Sequence, residues 1–327
     1  MPTVVDIANL ADVSVATVSR VIQNSNRVSD EKRERVMKAI ETLGYKIDPN
    51  AESRDRRKTI MIICGNSQDE FIDSVFESAA ESGFEVVVYY TAGHSVKVNS
   101  FMKRILKNKT VSGVITYGLT SSSKEAMEVI NQKLSVVQCC DDLKLSNSFV
   151  VSGDDLAMSR DSVLHLLELG YKRIAFLGLG KMKHSFMYSE NRFSGYKQAL
   201  MEKGIEIREE YIAQCDYSND SVEHALEQFM QAPVRPDAVF CVRDHTAMQL
   251  VNCATRRSLK IPDDLAVLGC GSIETAERCW LPLSNVSYPY FDIAMEAVSL
   301  LNQRIQGKLT LGRRVIIQHA ITDRSTT

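Results

Sequence analysis

The sequence predicts an α/β protein: an N-terminal three-helix helix-turn-helix headpiece followed by two doubly wound parallel-sheet lobes. Three observations predict it. The first 45 residues hold three short helical patterns, two of them split by a tight polar break. From residue 59 onward, apolar strand runs alternate with helical patterns, which is the signature of parallel sheets covered by helices. About ten such runs over 269 residues are enough for two sheets.

The headpiece elements follow from spacing. Ile7, Ala8, Leu10 and Ala11, with Val13 beyond them, recur at helical intervals, after Thr3 as a cap and with Asp6 near the positive end of the helix. Asp12-Val13-Ser14 breaks the pattern, and Ser14 caps a second helix over 15–23 whose buried stripe is Val18, Val21 and Ile22. That leaves Ala16, Thr17, Ser19 and Arg20 on the other side. Small residues there let a backbone approach base edges, hydroxyls reach phosphates, and an arginine forks onto guanine. A third helix runs from Asp30 to about Leu43, capped by Ser29, with Val36, Ala39, Ile40 and Leu43 inward and Gly44 as its stop. Double-stranded DNA is the partner this surface fits.

Composition is that of ordinary globular domains, with 44% hydrophobic and 7% aromatic residues. No run approaches the ~18 apolar residues of a membrane span. Helix signals begin at Thr3, so no signal peptide is expected and the location is cytoplasmic. The eight cysteines and six histidines show no metal-type spacing, so neither metal nor cofactor is expected and the cysteines read as reduced core residues. Net charge is −2. Residues 1–58 carry 11 Lys and Arg against 9 Asp and Glu, and the remainder 28 against 32, so the asymmetry between head and body is mild.

In the body, strands are expected at 59–64, 85–90, 113–117, 136–140, 149–151, 174–177, 211–215, 238–242, 265–270 and 285–288. In such sheets ligands bind beyond the carboxyl ends of the strands. Catalytic signatures are missing. Gly178-Leu179-Gly180 follows a strand, but Lys183 stands where a dinucleotide loop needs its third glycine, so the segment reads as a tight turn. There is no nucleophile elbow and no phosphate-binding loop. The protein is not expected to be an enzyme, and no catalytic residue is assigned.

The runs Asp6-Ile-Ala, Ala11-Asp-Val-Ser-Val-Ala-Thr-Val-Ser-Arg20, Val28-Ser29 and Gly44-Tyr45 resemble the headpiece of the lactose/galactose-repressor family. Later runs fit it too: Leu166-Leu-Glu-Leu-Gly-Tyr-Lys-Arg-Ile-Ala-Phe, Asn191-Arg-Phe-Ser-Gly-Tyr, Ile261-Pro-Asp-Asp-Leu-Ala-Val-Leu-Gly269 and the terminal Ile321-Thr-Asp-Arg-Ser325. The resemblance implies two periplasmic-binding-protein-like lobes with a small-molecule effector between them. It divides the chain into a headpiece (1–45), a hinge (46–58) and an effector-binding and dimerisation core (59–327). Lobe 1 is expected at about 59–152 and 286–308, and lobe 2 at about 153–285 and 309–327. It also implies roles: Val15 and Ala16 choose the operator sequence, Arg20 reads bases, and Thr3, Ser14, Thr17, Ser19 and Asn24 grip the backbone.

One departure falls in the hinge. The family forms a short helix there and pushes a leucine into the minor groove. Here Ser53 and Arg54 occupy the Ala-Arg places and Arg56 stands where the leucine belongs. An apolar wedge is replaced by a cation suited to a narrow, negative groove or to phosphates.

A second departure falls in the effector cleft. By the resemblance, Arg192 and Asp244 are effector contacts. Arg243 stands where many relatives carry a neutral residue, and Cys270-Gly271-Ser272 replaces an aromatic-Asp pair, with Ser272 the polar group left. Gaining a cation and losing an acidic acceptor points to an anionic effector such as a sugar acid or sugar phosphate. Gln68, Asp69, Tyr117 and Asp141 follow lobe 1 strands and complete the expected cleft. Trp280 is expected in the cleft wall or the core.

These readings describe a homodimeric transcription regulator, a repressor, with operator DNA and a small-molecule effector as partners. The chain stops soon after the terminal motif, with no heptad tail to make a tetramer. Two rival readings are a DNA-binding regulator with a vestigial or protein-binding cleft, and an enzyme carrying a DNA-binding head.

Overall fold

The computed structural model describes residues 2–22, 28–45, 58–65, 69–92, 94–107, 111–141, 143–179, 187–216 and 218–327. The chain divides into two units, Met1–Lys58 and Thr59–Thr327.

In the first unit, α1 (Val4–Ala11), α2 (Val15–Ile22) and α3 (Asp30–Thr42) pack against one another. Their shared core is Ile7, Ala8, Ala11, Val18, Val21, Val36, Ala39 and Ile40. Thr3 closes a capping box with Asp6: the Asp6 N–H donates to Thr3 Oγ1 (3.3 Å) and the Thr3 N–H to Asp6 Oδ2 (2.7 Å). Leu10 departs from the expected stripe and is 52% exposed, and Ile22 is only half-buried. Ser29 occupies the cap position of α3 without a side-chain cap bond.

The second unit holds two six-stranded sheets. Lobe 1 has β1 (Lys58–Cys64), β2 (Phe84–Tyr90), β3 (Val111–Tyr117), β4 (Ser135–Cys139), β5 (Phe149–Gly153) and β11 (Arg313–Ile317), in the order β11-β5-β4-β3-β1-β2. Lobe 2 has β6 (Ile174–Leu179), β7 (Ile212–Cys215), β8 (Ala238–Cys241), β9 (Ala266–Gly271), β10 (Ser284–Ser287) and β12 (Ala320–Thr322), in the order β12-β10-β9-β8-β6-β7. Every recorded pairing is parallel except β10 with β12. Central strands are apolar on both faces because helices cover both, and all four residues of β8 are buried. The helices are α4 (Asp69–Glu81), α5 (Ser95–Lys107), α6 (Lys124–Asn131), α7 (Asp155–Glu168), α8 (Met187–Glu202), α9 (Asn219–Gln231), α10 (Asp244–Arg256), α11 (Ile273–Glu277) and α12 (Tyr290–Ile305).

Among the described residues twelve strands stand where about ten were expected. The two missed strands are β11, an outer strand that opens on the exposed Arg313 and Arg314, and β12, only three residues long. The apolar part of β11 is only Val315-Ile316-Ile317 behind two arginines, and that of β12 only Ala320-Ile321. They also move the lobe boundaries. Arg313–Ile317 pairs with Phe149–Gly153 of lobe 1, so the last crossing lies between Ile317 and Ala320 rather than near residue 309. The second crossing follows Ser287 rather than residue 285, because β10 pairs with β9 to its last residue. Gly178 is not in a turn either: it continues β6, in register with Gln214, while Gly180 and Lys183 lie outside the described residues.

Both sheets reverse direction in the same way. The chain runs out from β1 to β2 and returns to β3, and runs out from β6 to β7 and returns to β8. The carboxyl ends of β3, β4, β5, β8, β9 and β10, with Arg192 from α8, supply the residues of the candidate site.

Candidate functional site: a DNA-facing helix and an interlobe cavity

The headpiece presents one face of α2. Val18 and Val21 are buried, which turns Val15, Ala16 and Arg20 outward, with Thr17 and Ser19 half-buried at the edges. Asp12 adopts a left-handed backbone (φ 49°), and Arg35 holds that turn from α3, donating to Asp12 O (3.0 Å) and Oδ2 (3.1 Å). Ser14 then caps α2: the Thr17 N–H donates to its Oγ (3.2 Å), and the two hydroxyls lie 2.9 Å apart. The Thr3 hydroxyl donates to Asp6 (2.7 Å), a bond that also holds the Asp6 carboxyl below its ordinary pKa. Thr3, Ser14 and Thr17 therefore hold the helices as well as facing outward. Asn24, Arg54 and Arg56 lie outside the described residues.

In the second unit a cavity of about 150 Å³ opens between the lobes. Lobe 1 contributes Tyr117 and Cys140. Lobe 2 contributes Asp155, Arg192, Arg243, Asp244 and His245, then Cys270 and Gly271 at the end of β9 and Ser272 and Thr275 beyond it. Tyr288 and Tyr290, at a crossing, complete the wall. Tyr117 stacks on Phe71 (centroids 4.6 Å apart), and Tyr288 and Tyr290 lie 4.9 Å apart, so one side of the cavity is a rigid aromatic surface.

Arg192 reaches the cavity because α8 lies close against α7. At Gly195 an added Cβ would sit 2.2 Å from Leu156 O, so only glycine permits this approach. Ser159 donates to Arg192 O (2.6 Å), and Tyr196 is fully buried with its hydroxyl on Ile174 O (2.9 Å). The Arg192 guanidinium then grips Asp155 Oδ1, with Nε at 2.9 Å and a terminal nitrogen at 2.7 Å, and also donates to Val242 O. Burial pushes the Asp155 carboxyl up and Arg192 pulls it back.

Asp244 sits at the first turn of α10, over the end of β9. A Cβ on Gly269 would stand 2.5 Å from its Oδ1 and one on Gly271 2.6 Å from its Oδ2. Oδ2 accepts from Asn285 (3.2 Å), while Oδ1 is buried with no hydrogen-bond partner among the described residues. Burial pushes this carboxyl up to about 7, against the pull of Asn285, the Ser272 N–H and the two arginines. Asn285 in turn accepts from Arg324 (2.9 Å), which also donates to Leu283 O (2.9 Å). Asp323 binds His165 (2.7 Å), and the buried Thr326 hydroxyl donates to Val267 O (2.7 Å). The terminal motif is thus a clasp beneath the cavity.

Among residues expected in the cleft, Tyr117, Arg192, Arg243, Asp244 and Ser272 come together. Asp69 is exposed at the start of α4 and is not in the lining, and Gln68 lies outside the described residues. Asp141 is buried but turned into lobe 1, accepting from the Thr116 hydroxyl and the Leu119 N–H (both 3.0 Å), so its position after a strand reflects loop anchoring. Trp280 is neither wall nor core: it is 65% exposed and donates to Asn252 (2.8 Å). Sequence reasoning missed Cys140, Asp155, His245, Thr275, Tyr288 and Tyr290. An acid straight after β5 was a usable signal for Asp155. Nothing local marks Tyr288, whose role depends on the crossing.

Residues 3–50 match the family described as bacterial regulatory proteins of the lacI family, and residues 163–327 match a periplasmic binding protein-like domain. The HTH-type transcriptional repressor CytR of Escherichia coli (strain K12) is 30% identical over 315 residues, 94% of this chain and 90% of the relative. The HTH-type transcriptional regulator DegA of Bacillus subtilis (strain 168) is 29% identical over 335 residues, covering 99% and 98%. Among solved structures, a transcriptional regulator CelR-cellobiose complex matches both chains over their full length, with TM-score 0.72 and 25% identity. The lac repressor dimer bound to operator and the anti-inducer ONPF matches the fold at TM-score 0.71 and 22% identity, over 99% of this chain and 98% of that one. Head and core together define a ligand-controlled, DNA-binding transcription regulator rather than an enzyme. The chain belongs to the LacI family of bacterial regulatory proteins. Among the described residues, no helix is long and apolar enough to cross a membrane.

Proposed function

We propose that the cavity takes an anionic small molecule, of the sugar-acid or sugar-phosphate class, and that this ligand sets the protein's affinity for operator DNA. The observation that carries the reading is the charge of the lining. Asp155 and Arg192 offset one another, and burial holds Asp244 close to half-neutral near pH 7. Arg243 then makes the lining net positive, and Gly271 at the end of β9 presents no acceptor side chain. The aromatic wall offers a face for the apolar side of a ring. A ligand bridging both lobes shifts DNA affinity by its differential affinity for two lobe arrangements.

On this reading Val15, Ala16 and Arg20 face base edges, and Thr3, Ser14, Thr17 and Ser19 face the backbone. Arg54 and Arg56 add hinge contacts, and Asn24 one more to the backbone. A homodimer places two heads on a near-palindromic operator. The exposed Phe76 of α4 and Val87, Val88 and Tyr90 of β2 offer a surface for the second copy. The cytoplasm is the compartment where operator DNA is met.

A thermal-shift panel of sugar acids, sugar phosphates and neutral sugars tests the effector class. Stabilisation by the anions that is lost in Arg243→Gln supports it. Cellobiose in the related CelR complex makes neutral sugars the competing class, and stabilisation by them alone overturns it. Sedimentation equilibrium tests the dimer.

A further inference from the structure

The three crossings between the lobes run side by side, and one side chain ties them. The first crossing follows Gly153, the last residue of β5, and the third follows Ile317, its register partner at the end of β11. The second follows Ser287, whose register partner Ala320 opens β12 just after the third, and whose hydroxyl donates to Ala320 O (3.0 Å). Tyr288 is the first residue of that second crossing and is buried. Its N–H donates to Gly271 O of lobe 2 (2.7 Å), while its hydroxyl accepts from the Gly153 N–H of lobe 1 (3.3 Å). The residue therefore spans the seam, with its backbone held by one lobe and its phenol by the other.

The phenol end is closely fitted. A Cβ on Gly153 would stand 3.2 and 3.3 Å from Cε2 and Cζ of the ring, so the absence of a side chain there lets the strand end meet the ring. The Arg192 guanidinium carbon lies 5.6 Å from the ring centroid, within the range of a cation–π attraction. Arg192 is in turn held by Asp155, just past the first crossing. The same ring is part of the cavity wall, beside Tyr290.

We propose that Tyr288 is the strut that sets the angle between the lobes, and that a molecule in the cavity acts on that angle by leaning on its ring. The strut stands on the two bonds of Tyr288, and only its link to a ligand rests on the effector reading. Rotation of lobe 1 about the crossings would draw Gly153 away from a hydroxyl whose backbone is fixed on lobe 2, and the bond resists that rotation. Tyr288 is on this account a positioning residue: it couples cavity to lobe arrangement.

The test uses the full chain with neither effector nor DNA, so its failure leaves the effector class standing. Double electron–electron resonance reads the distance between spin labels on unnatural side chains placed at the exposed Glu125 of lobe 1 and Glu206 of lobe 2. Labelled chains are diluted into unlabelled protein, so that only distances within one chain are read. Wild type is expected to show one dominant distance. Tyr288→Phe keeps the ring and loses the hydroxyl bond, and the share of other distances relative to the dominant one should rise by about two- to tenfold, the factor that one hydrogen bond carries. Gly153→Ala, which forces ring and strand end apart with the hydroxyl still present, should shift the distribution in the same way. Tyr196→Phe is the control: it deletes a buried hydroxyl bond to Ile174 O inside lobe 2 (2.9 Å), and should lower the melting temperature with the distances unchanged. A wild type without a dominant distance, a Tyr288→Phe distribution that matches wild type, or a Tyr196→Phe distribution that broadens as much as that of Tyr288→Phe, overturns the strut.

Discussion

Arg192 grips a single oxygen of Asp155 with two nitrogens, at 2.7 and 2.9 Å, between neighbouring helices, with the arginine side chain only 6% exposed. An effector that approaches Arg192 meets a guanidinium already satisfied on one edge. The pair holds α7 and α8 in register and gives the cavity floor a fixed geometry. Asp155→Ala would leave a buried cation without its counter-ion. Chemical denaturation of the variant is expected to show a loss of about 3 to 5 kcal/mol, and no loss would mean that solvent reaches Arg192.

Asp244 gives the fold a pH dependence of unusual sign. Its folded value of about 7 lies above the ordinary 3.8, so the native state binds the proton more tightly. The contribution to stability is greatest below 3.8 and falls as pH rises to about 7, where it flattens. Asp244→Asn keeps the shape and cannot titrate. The difference in melting temperature between variant and wild type should grow in the variant's favour across that window, and a constant difference would contradict the burial argument.

Gly195 is the point where α8 touches α7, with Leu156 O 2.2 Å and Arg160 N 2.9 Å from the position of an added Cβ. Gly195→Ala must separate the helices, and overpacking of this kind costs about 1 to 3 kcal/mol. Because Arg192 rides on the same helix, the variant should also lose ligand-induced stabilisation. Urea unfolding and a thermal-shift titration measure the two effects separately.

Arg20 is the exposed base-reading candidate on α2, beside the apolar Val15 and Ala16. Arg20→Ala is expected to weaken binding to DNA selected from a random pool by about 1 to 3 kcal/mol and to relax preference at one position. Ser14→Ala instead removes a helix cap worth about 1 kcal/mol. Its effect should appear in headpiece melting as well as in binding. Equal specificity in wild type and Arg20→Ala would move base reading elsewhere.

Local patterns in the sequence determined a good deal. Helical spacing and capping residues set α1 to α3 because those signals act within a few residues, as Thr3 with Asp6 and Ser14 with Thr17 show. Apolar runs marked the central strands because burial on both faces demands them. They did not single out β11, with three apolar residues after two arginines, or the three-residue β12, whose places are set by long-range pairing with β5 and β10. Motifs in their order pointed to the family, and residue identity alone revealed the extra Arg243 and the acid missing from Cys270-Gly271-Ser272. Only the tertiary structure decided which charges meet. It paired Arg192 with Asp155 and turned Asp141 inward to Thr116. Electrostatic energy depends on distance and burial, and both are properties of packing between segments far apart in the chain.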